Sequence, residues 1–539
     1  MAFLKVNDKR LKARGIALLS VLAVAMSAMA IPARRDGKLC TAADGTEKMV
    51  YMHGDEAFHY LTDEAGLWLD EETLLPLSEE QKSARRQQGK ARVTERRAAQ
   101  QIKVGGVPNI APRGLLIMVN FKDQAFQTPR DTVDSMLNGI NYSRRYDYNY
   151  DWKGKHYEGT TISHGSARQY FYDQSYGHYN PAFDVVGPYT LDKNVGGYDD
   201  NNVGQMIKKA CELADADGVD FTRYDNNDDG KVDFVYVLYA GYGEADSYIK
   251  NTIWPHNWYL SKWGISYYAD GKRVDNYACS NEINYLSQVY TGIGTFVHEF
   301  GHVIGLPDLY VTVEMDNPPH TLNEWDIMDY GCYSNDGNTP PAYSAYERFY
   351  CGWLTPRVLT VPENVTLRPI NEGNGQSLLI SSTDQHNLVG YDPYPTTFYL
   401  LEARTLTEWD EYLPGAGLLI TKVAYDPSKW SGNSVNNDAE SQGIQIMEAT
   451  PNSTIYGAPT DVYPAGGNQW TGLSEHAVTN IAQQPDGSIT FLYRGGDPAG
   501  VEDVQDNNKP YTKILRNGNI YIIRDNKEYT ILGHENHQL

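Results

Sequence analysis

The chain is short of positive charge. Its 539 residues carry 46 Lys and Arg against 69 Asp and Glu, a formal net charge of −23. That balance repels nucleic acid and anionic membrane surfaces, so neither is an expected partner. Cysteine is scarce. Cys40, Cys211, Cys279, Cys332 and Cys351 contain no Cys-x-x-Cys pair and no His/Cys cluster, which argues against a structural zinc finger or ribbon. Long apolar runs are scarce too. The one candidate, residues 15–30, follows Lys5, Lys9, Arg10, Lys12 and Arg14 and ends in Ala28-Met29-Ala30. A basic stretch, a short apolar stretch and small residues before the cut read as a secretory signal peptide removed near Ala30. The mature protein is therefore expected to be exported, secreted or held at the cell surface, without stable membrane insertion. Export permits disulfides, so the four central cysteines could form two bridges in any of three pairings, with Cys40 left over.

What the chain has in quantity is tyrosine, 41 residues of it, together with 48 glycines, which suggests β-rich and loop-rich extracellular structure. The length exceeds one hydrophobic core and predicts about two to four domains. The boundaries read as a signal peptide over 1–30 and a small propeptide with a basic activation linker over 31–108. A large main domain follows over 109–356, then a β-rich domain over 357–495, a linker over 496–510 and a short β tail over 511–539. Residues 31–76 hold short strand-like pieces such as 48–52. The segment 78–103, with Arg85-Arg86 and Arg96-Arg97, reads as a solvated helix or flexible linker accessible to an activating protease. The run Leu115-Leu116-Ile117-Met118-Val119 predicts the first buried strand, residues 204–214 a helix, 234–240 a second buried strand and 287–305 a helical segment. Beyond Pro356, alternating runs at 397–402, 417–423 and 488–493 between Gly, Pro, Asn and Asp predict antiparallel sheet. Residues 513–532 predict two short strands.

The chemistry concentrates in Gly294-Thr295-Phe296-Val297-His298-Glu299-Phe300-Gly301-His302-Val303-Ile304-Gly305-Leu306-Pro307-Asp308. His298 and His302, one helical turn apart, project from the same face and can share one Zn2+. Glu299 is placed to take a proton from a water that zinc has made acidic, so that the water attacks a carbonyl. Gly305 lets the chain leave the helix abruptly, Pro307 stops the helix resuming, and Asp308 is the first carboxylate that can swing back as a third ligand. Asp326 and Glu324 are the fallback ligands. A His-Glu-x-x-His run also arises by chance in ordinary buried helices, and Phe296, Val297, Phe300, Val303 and Ile304 would suit any of them.

This helix resembles that of the immune-inhibitor-A family of secreted bacterial zinc metalloproteases. The resemblance extends to Gly165-Ser166-Ala167-Arg168-Gln169-Tyr170-Phe171, Ile253-Trp254-Pro255-His256, Trp325-Asp326-Ile327-Met328-Asp329-Tyr330-Gly331, Cys351-Gly352-Trp353-Leu354 and Pro414-Gly415-Ala416-Gly417, and covers roughly 110–495. It implies an α+β zincin (metzincin-like) catalytic domain, a mixed sheet over the active-site helix, followed by an antiparallel β domain. It also implies that Met328 lies in a turn beneath the metal and that Tyr330 donates to the oxyanion. Family members often carry a further Asp just after the Leu-Tyr pair, and here that position is Val311. The function implied is a zinc-dependent endopeptidase acting on extracellular proteins and peptides and made as a zymogen, with a monomer favoured. The alternatives are a non-catalytic adhesin on a protease scaffold, which predicts loss of Glu299 or a histidine, and a zinc hydrolase of non-peptide amides.

A second metal is suggested by Asp225, Asn227, Asp229, Lys231 and Asp233, with Gly230 at the sixth position. This spacing folds oxygens around a structural Ca2+, although Tyr236 stands where an EF-hand has its bidentate Glu. An Asx-rich turn is the alternative. For latency, Cys40, His53 and His59 are candidate donors in the propeptide. The C-terminal residues 513–525 resemble short tails associated with outer-membrane sorting.

Overall fold

A computed structural model describes residues 29–97, 111–496 and 512–530, apart from 153–154, 248–251, 286, 316–317, 452–453, 455, 517–518 and 525–526. The basic head and most of the apolar run that suggested a signal peptide lie outside these residues, as does nearly all of the linker expected over 496–510.

The apolar run at 115–119 forms the strand Arg113–Asn120, and alternation sends its side chains to two different cores. Leu115, Ile117 and Val119 pack with Met206, Ile207 and Ala210 of the helix Val203–Ala216. Leu116 and Met118 pack with Phe296 and Phe300 of the helix Gly294–Val303. A strand buried on both faces has no polar side, which is why it reads as a continuous apolar run. It lies inside a six-stranded mixed sheet. In spatial order the strands are Met29–Ala30, His256–Tyr259, Asn276–Asn281, Val235–Tyr239, Arg113–Asn120 and Ala182–Thr190. The last four are mutually parallel, whereas His256–Tyr259 runs antiparallel to its neighbour and Met29–Ala30 runs antiparallel to it in turn. The hairpin Arg145–Trp152 with Lys155–Ile162 has no counterpart in the sequence reading.

Ahead of this sheet, Lys38–Thr41, Glu47–Gly54, His59–Thr62 and Trp68–Leu69 form a small antiparallel sheet. The basic segment that followed as either helix or linker is a helix, Glu79–Arg97. After it, Arg357–Val358, Leu378–Ile380, Thr397–Arg404, Gly417–Ala424 and Ile444–Ile446 make a five-stranded sheet. Glu363–Leu367, Ile489–Tyr493 and Val478–Gln483 make a three-stranded one. The chain ends in three antiparallel strands, Thr512–Arg516, Asn519–Arg524 and Lys527–Thr530, one more than expected.

All five cysteines are thiols, so the anticipated bridges do not form. Cys211, Cys279, Cys332 and Cys351 are buried and act as small apolar side chains within the cores. The five-stranded sheet is locked to the loop before residue 345 by a wholly buried ion cluster. Arg404 meets Glu402 at 2.9 Å and Asp410 at 2.6 Å, and Asp410 Oδ1 accepts from the Ala342 N–H at 3.0 Å.

Candidate metal centre

The helix Gly294–Val303 has no solvent-facing side: residues 294–302 are all buried. Phe296 and Phe300, one turn apart, pack edge-on against Phe183 and Phe234 at 4.9 and 5.1 Å between ring centroids. This fixes the rotation of the helix and turns His298 and His302 the other way. Gly301 is required on that side, since a Cβ there would come within 2.6 Å of Met328 Sδ. Met328 is fully buried, and the preceding carbonyl, of Ile327, accepts from His298 Nδ1 at 2.8 Å. The helix ends at Gly305, whose φ of +100° only glycine adopts at low cost. The turn carries the Leu306 carbonyl back over the helix, where it accepts from His302 Nδ1 at 2.8 Å.

A carbonyl can only accept, so both histidines must carry their proton on Nδ1 and present a lone pair on Nε2. Those two nitrogens face Asp308 Oδ1 at 3.1 and 3.3 Å. His298, His302 and Asp308 are the single group of three such donors able to hold a metal ion among the described residues. His302 Nε2 and Glu299 Oε2 are buried without a hydrogen-bond partner. Burial pushes the Glu299 carboxyl well above its ordinary range, and the negative charges of Asp308 and Glu56 push it further. Asp308 is also fully buried, with Oδ1 turned toward the two imidazoles. Lone pairs and carboxylates converging in a dry pocket, with protons directed outward to carbonyls, suit a divalent cation such as zinc. Asp326 and Glu324, the fallback ligands, are engaged elsewhere. Asp326 Oδ1 accepts from the Met328 N–H at 2.8 Å, and Glu324 Oε1 meets Arg35 at 3.3 Å.

One partner that the sequence did not reveal comes from 125 residues downstream. Asn433 accepts from the Asp308 N–H at 2.7 Å and donates from Nδ2 to Asp308 Oδ2 at 2.5 Å, so Oδ1 is the oxygen left facing the histidines. A second is Tyr310, whose hydroxyl donates to the carbonyl of Ala30. The same peptide's other side, the Ile31 N–H, donates to Glu299 Oε1 at 3.2 Å. Ala30 and Met29 pair with His256 and Asn257 of the sheet edge, and Trp254 Nε1 donates to the Ile31 carbonyl at 2.9 Å. The Ala30–Ile31 peptide thus lies across the metal centre. None of Cys40, His53 and His59 is placed there: Cys40 lies in the strand Lys38–Thr41, His53 bonds Thr62 at 2.8 Å, and His59 faces Glu244 at 3.7 Å. Tyr330, expected at the oxyanion, lies instead with its ring 3.3 Å from the Arg35 guanidinium.

In the second candidate site the side chains turn back on their own loop. Asp225 accepts from the N–H groups of Asp229 and Gly230, Asn227 from Asp229, and Asp229 from Lys231, while Asp233 accepts from Asn226 and Asn227. The Lys272 ammonium sits 2.6 Å from Asp225.

Residues 109–353 match the profile of the immune inhibitor A peptidase M6 catalytic domain. Immune inhibitor A of Bacillus thuringiensis subsp. alesti is 24% identical over 265 residues, which is 41% of this chain and 38% of that protein. The pre-pro-metalloprotease PrtV of Vibrio cholerae serotype O1 is 26% identical over 214 residues, 34% of this chain and 23% of that protein. The chain thus spans well under half the length of these relatives.

Proposed function

Since residues 109–353 belong to the immune inhibitor A peptidase M6 family, we propose that the protein is a secreted zinc-dependent endopeptidase, made as a zymogen, with Glu299 as general base. The observation that carries this reading is the Ala30–Ile31 peptide, held with its carbonyl on the Tyr310 hydroxyl and its N–H on Glu299 beside the His298, His302 and Asp308 donors. Those three residues would hold the zinc, which when bound supplies a Lewis acid and a water acidified to a pKa of roughly 7.

The chain's own groups account for the remaining steps. Glu299, buried beside the three donors, accepts the proton of the attacking water. Tyr310 donates to the substrate oxygen as it becomes an oxyanion. Glu299 then passes its proton to the leaving nitrogen, the position now taken by the Ile31 nitrogen at 3.2 Å. The C–N bond breaks, leaving a carboxyl on one product and an amine on the other. The edge strand His256–Tyr259 and the Trp254 indole hold the substrate backbone extended. The N-terminal segment from Ile31 onward, which stays tethered through Trp254, Tyr333 and Asp336 even after a leader cut at Ala30, keeps the protein silent by occupying that path, and its removal opens it.

A structural Ca2+ at Asp225, Asn227, Asp229, Lys231 and Asp233 belongs to the same proposal, supported by donor spacing and opposed by Lys272 as a competing cation. Adding Ca2+ to metal-stripped protein should raise its unfolding temperature, and no shift would remove that ion from the proposal.

The main test is hydrolysis of casein by zinc-loaded protein activated by limited cleavage. Excess chelator should abolish it, and Glu299→Ala should abolish it while retaining zinc. Equal digestion in the presence of EDTA would overturn the reading.

A further inference from the structure

The segment that crosses the metal centre continues as Ile31-Pro32-Ala33-Arg34-Arg35. If Ala30–Ile31 occupies the place of the bond to be cut, Ile31 is the first residue after it, and Arg34 and Arg35 are the fourth and fifth. The chain stays tethered over that distance. Tyr333 donates to the Pro32 carbonyl at 2.6 Å, and the Arg34 N–H donates to the Ala245 carbonyl at 3.1 Å.

Both arginines then reach side chains of the 323–336 region. Arg34 Nη2 meets Asp336 Oδ1 at 2.6 Å, with its guanidinium 5.5 Å from the centre of the Tyr333 ring; its Nε also bonds Asp36, within the same segment. Arg35 donates to Asn323 Oδ1 at 3.0 Å and meets Glu324 at 3.3 Å, with its guanidinium stacked over Tyr330 and near Tyr456. With the segment in place these partners are partly buried beneath it: Asp336 is 17% exposed and Glu324 28%. Carboxylates and aromatic faces at fixed positions form a receptor for guanidinium groups. Apart from Asp36, none of them leaves with the N-terminal segment.

We propose that the cleft, once this segment has left, selects substrates with basic side chains at the fourth and fifth residues after the cut bond. Asp336 reads the first and the Tyr330–Glu324–Asn323 face reads the second. The inference rests on the peptidase reading and names the substrate class of that same site. Its physical ground is that departure of the segment leaves Asp336 and Glu324 without their cations in a chain of net charge −23, so an incoming cation restores contacts already built.

Two quenched-fluorescence peptides that differ only in carrying Arg-Arg or Gln-Gln at these positions test it, with zinc-loaded full chain activated by cleavage in the basic helix. The Arg-Arg peptide should show about tenfold higher kcat/KM, mostly through KM, with the advantage shrinking at high salt. Its fluorescent form should also bind activated Glu299→Ala protein about tenfold more tightly by anisotropy. Asp336→Arg combined with Glu324→Arg should turn the preference toward a Glu-Glu peptide. Cleavage of the Arg-Arg and Gln-Gln peptides at equal rates by the unsubstituted enzyme would overturn the inference and leave the peptidase reading intact. Tighter binding of the Arg-Arg peptide with no hydrolysis of either would support this docking site and count against the peptidase reading.

Discussion

Tyr310 and Tyr330 lie with their rings 6.4 Å apart, yet they meet different chemistry: one touches the Ala30 carbonyl and the other carries Arg35. Removing a single hydroxyl donor to an oxyanion lowers turnover by roughly 10²–10³. Tyr310→Phe should therefore lower kcat by about that factor with zinc content unchanged, whereas Tyr330→Phe should leave kcat for a neutral peptide nearly unaltered. The reverse ranking in parallel kinetics and metal analysis would return the role to Tyr330. The candidate metal donors were legible because His298 and His302 lie one helical turn apart and Asp308 follows shortly after the helix ends. Tyr310 was not, since among 41 tyrosines nothing in sequence marks the one that faces a bound carbonyl. Asp329 offers a second residue-level test. Burial raises its carboxyl from 3.8 to about 7, against the opposing hydrogen bonds of Thr321 and Asn323 and the charge of Arg35. Below the unfolded value both states are protonated and the group contributes nothing. As pH rises toward about 7 the unfolded state ionises first, so stability falls, and the full cost is present above that. Asp329→Asn should therefore gain in unfolding temperature relative to the natural protein on going from pH 5 to pH 8. An identical difference at both pH values would refute the assignment.

The helix Gly294–Val303 shows how an element holds its candidate ligands by packing. Its phenylalanine face sets its rotation, while Gly301 lets Met328 approach, and the Ile327 carbonyl then holds His298. Gly301→Ala places a methyl group 2.6 Å from Sδ of the fully buried Met328, so that side chain must shift, and a shift passed on to the turn would displace the Ile327 carbonyl. Partners of metal-bound histidines are worth roughly 10–100-fold in affinity, and a loss in that range should appear on zinc competition against a chelator. Unchanged affinity would mean that the turn does not support the histidine. Strands such as Arg113–Asn120 and Gly417–Ala424 were legible from their apolar runs. The strand Met29–Ala30 was not, because its residues have signal-peptide composition and its partner is a sheet edge distant in sequence. The disulfide expectation failed for a related reason: compartment permits a bridge, but only the placement of two side chains makes one.

Across the whole molecule, the candidate metal centre draws on both halves of the chain. Asn433 grips Asp308 by main chain and side chain, and Asn436 Nδ2 donates to the neighbouring Leu309 carbonyl at 2.6 Å. Asn433→Ala leaves Asp308 Oδ2 buried without its donor and frees the carboxylate to rotate. Zinc affinity should fall by about 10–100-fold while casein hydrolysis at saturating zinc recovers in part, and full-strength zinc binding in the variant would exclude the clamp. Because this asparagine lies 125 positions after the aspartate it clamps, a nascent polypeptide emerging amino end first cannot finish its ligand shell until much of the later β structure has been synthesised. On the proposed reading, the ribosome's order of delivery thus postpones full metal affinity until the later β structure exists.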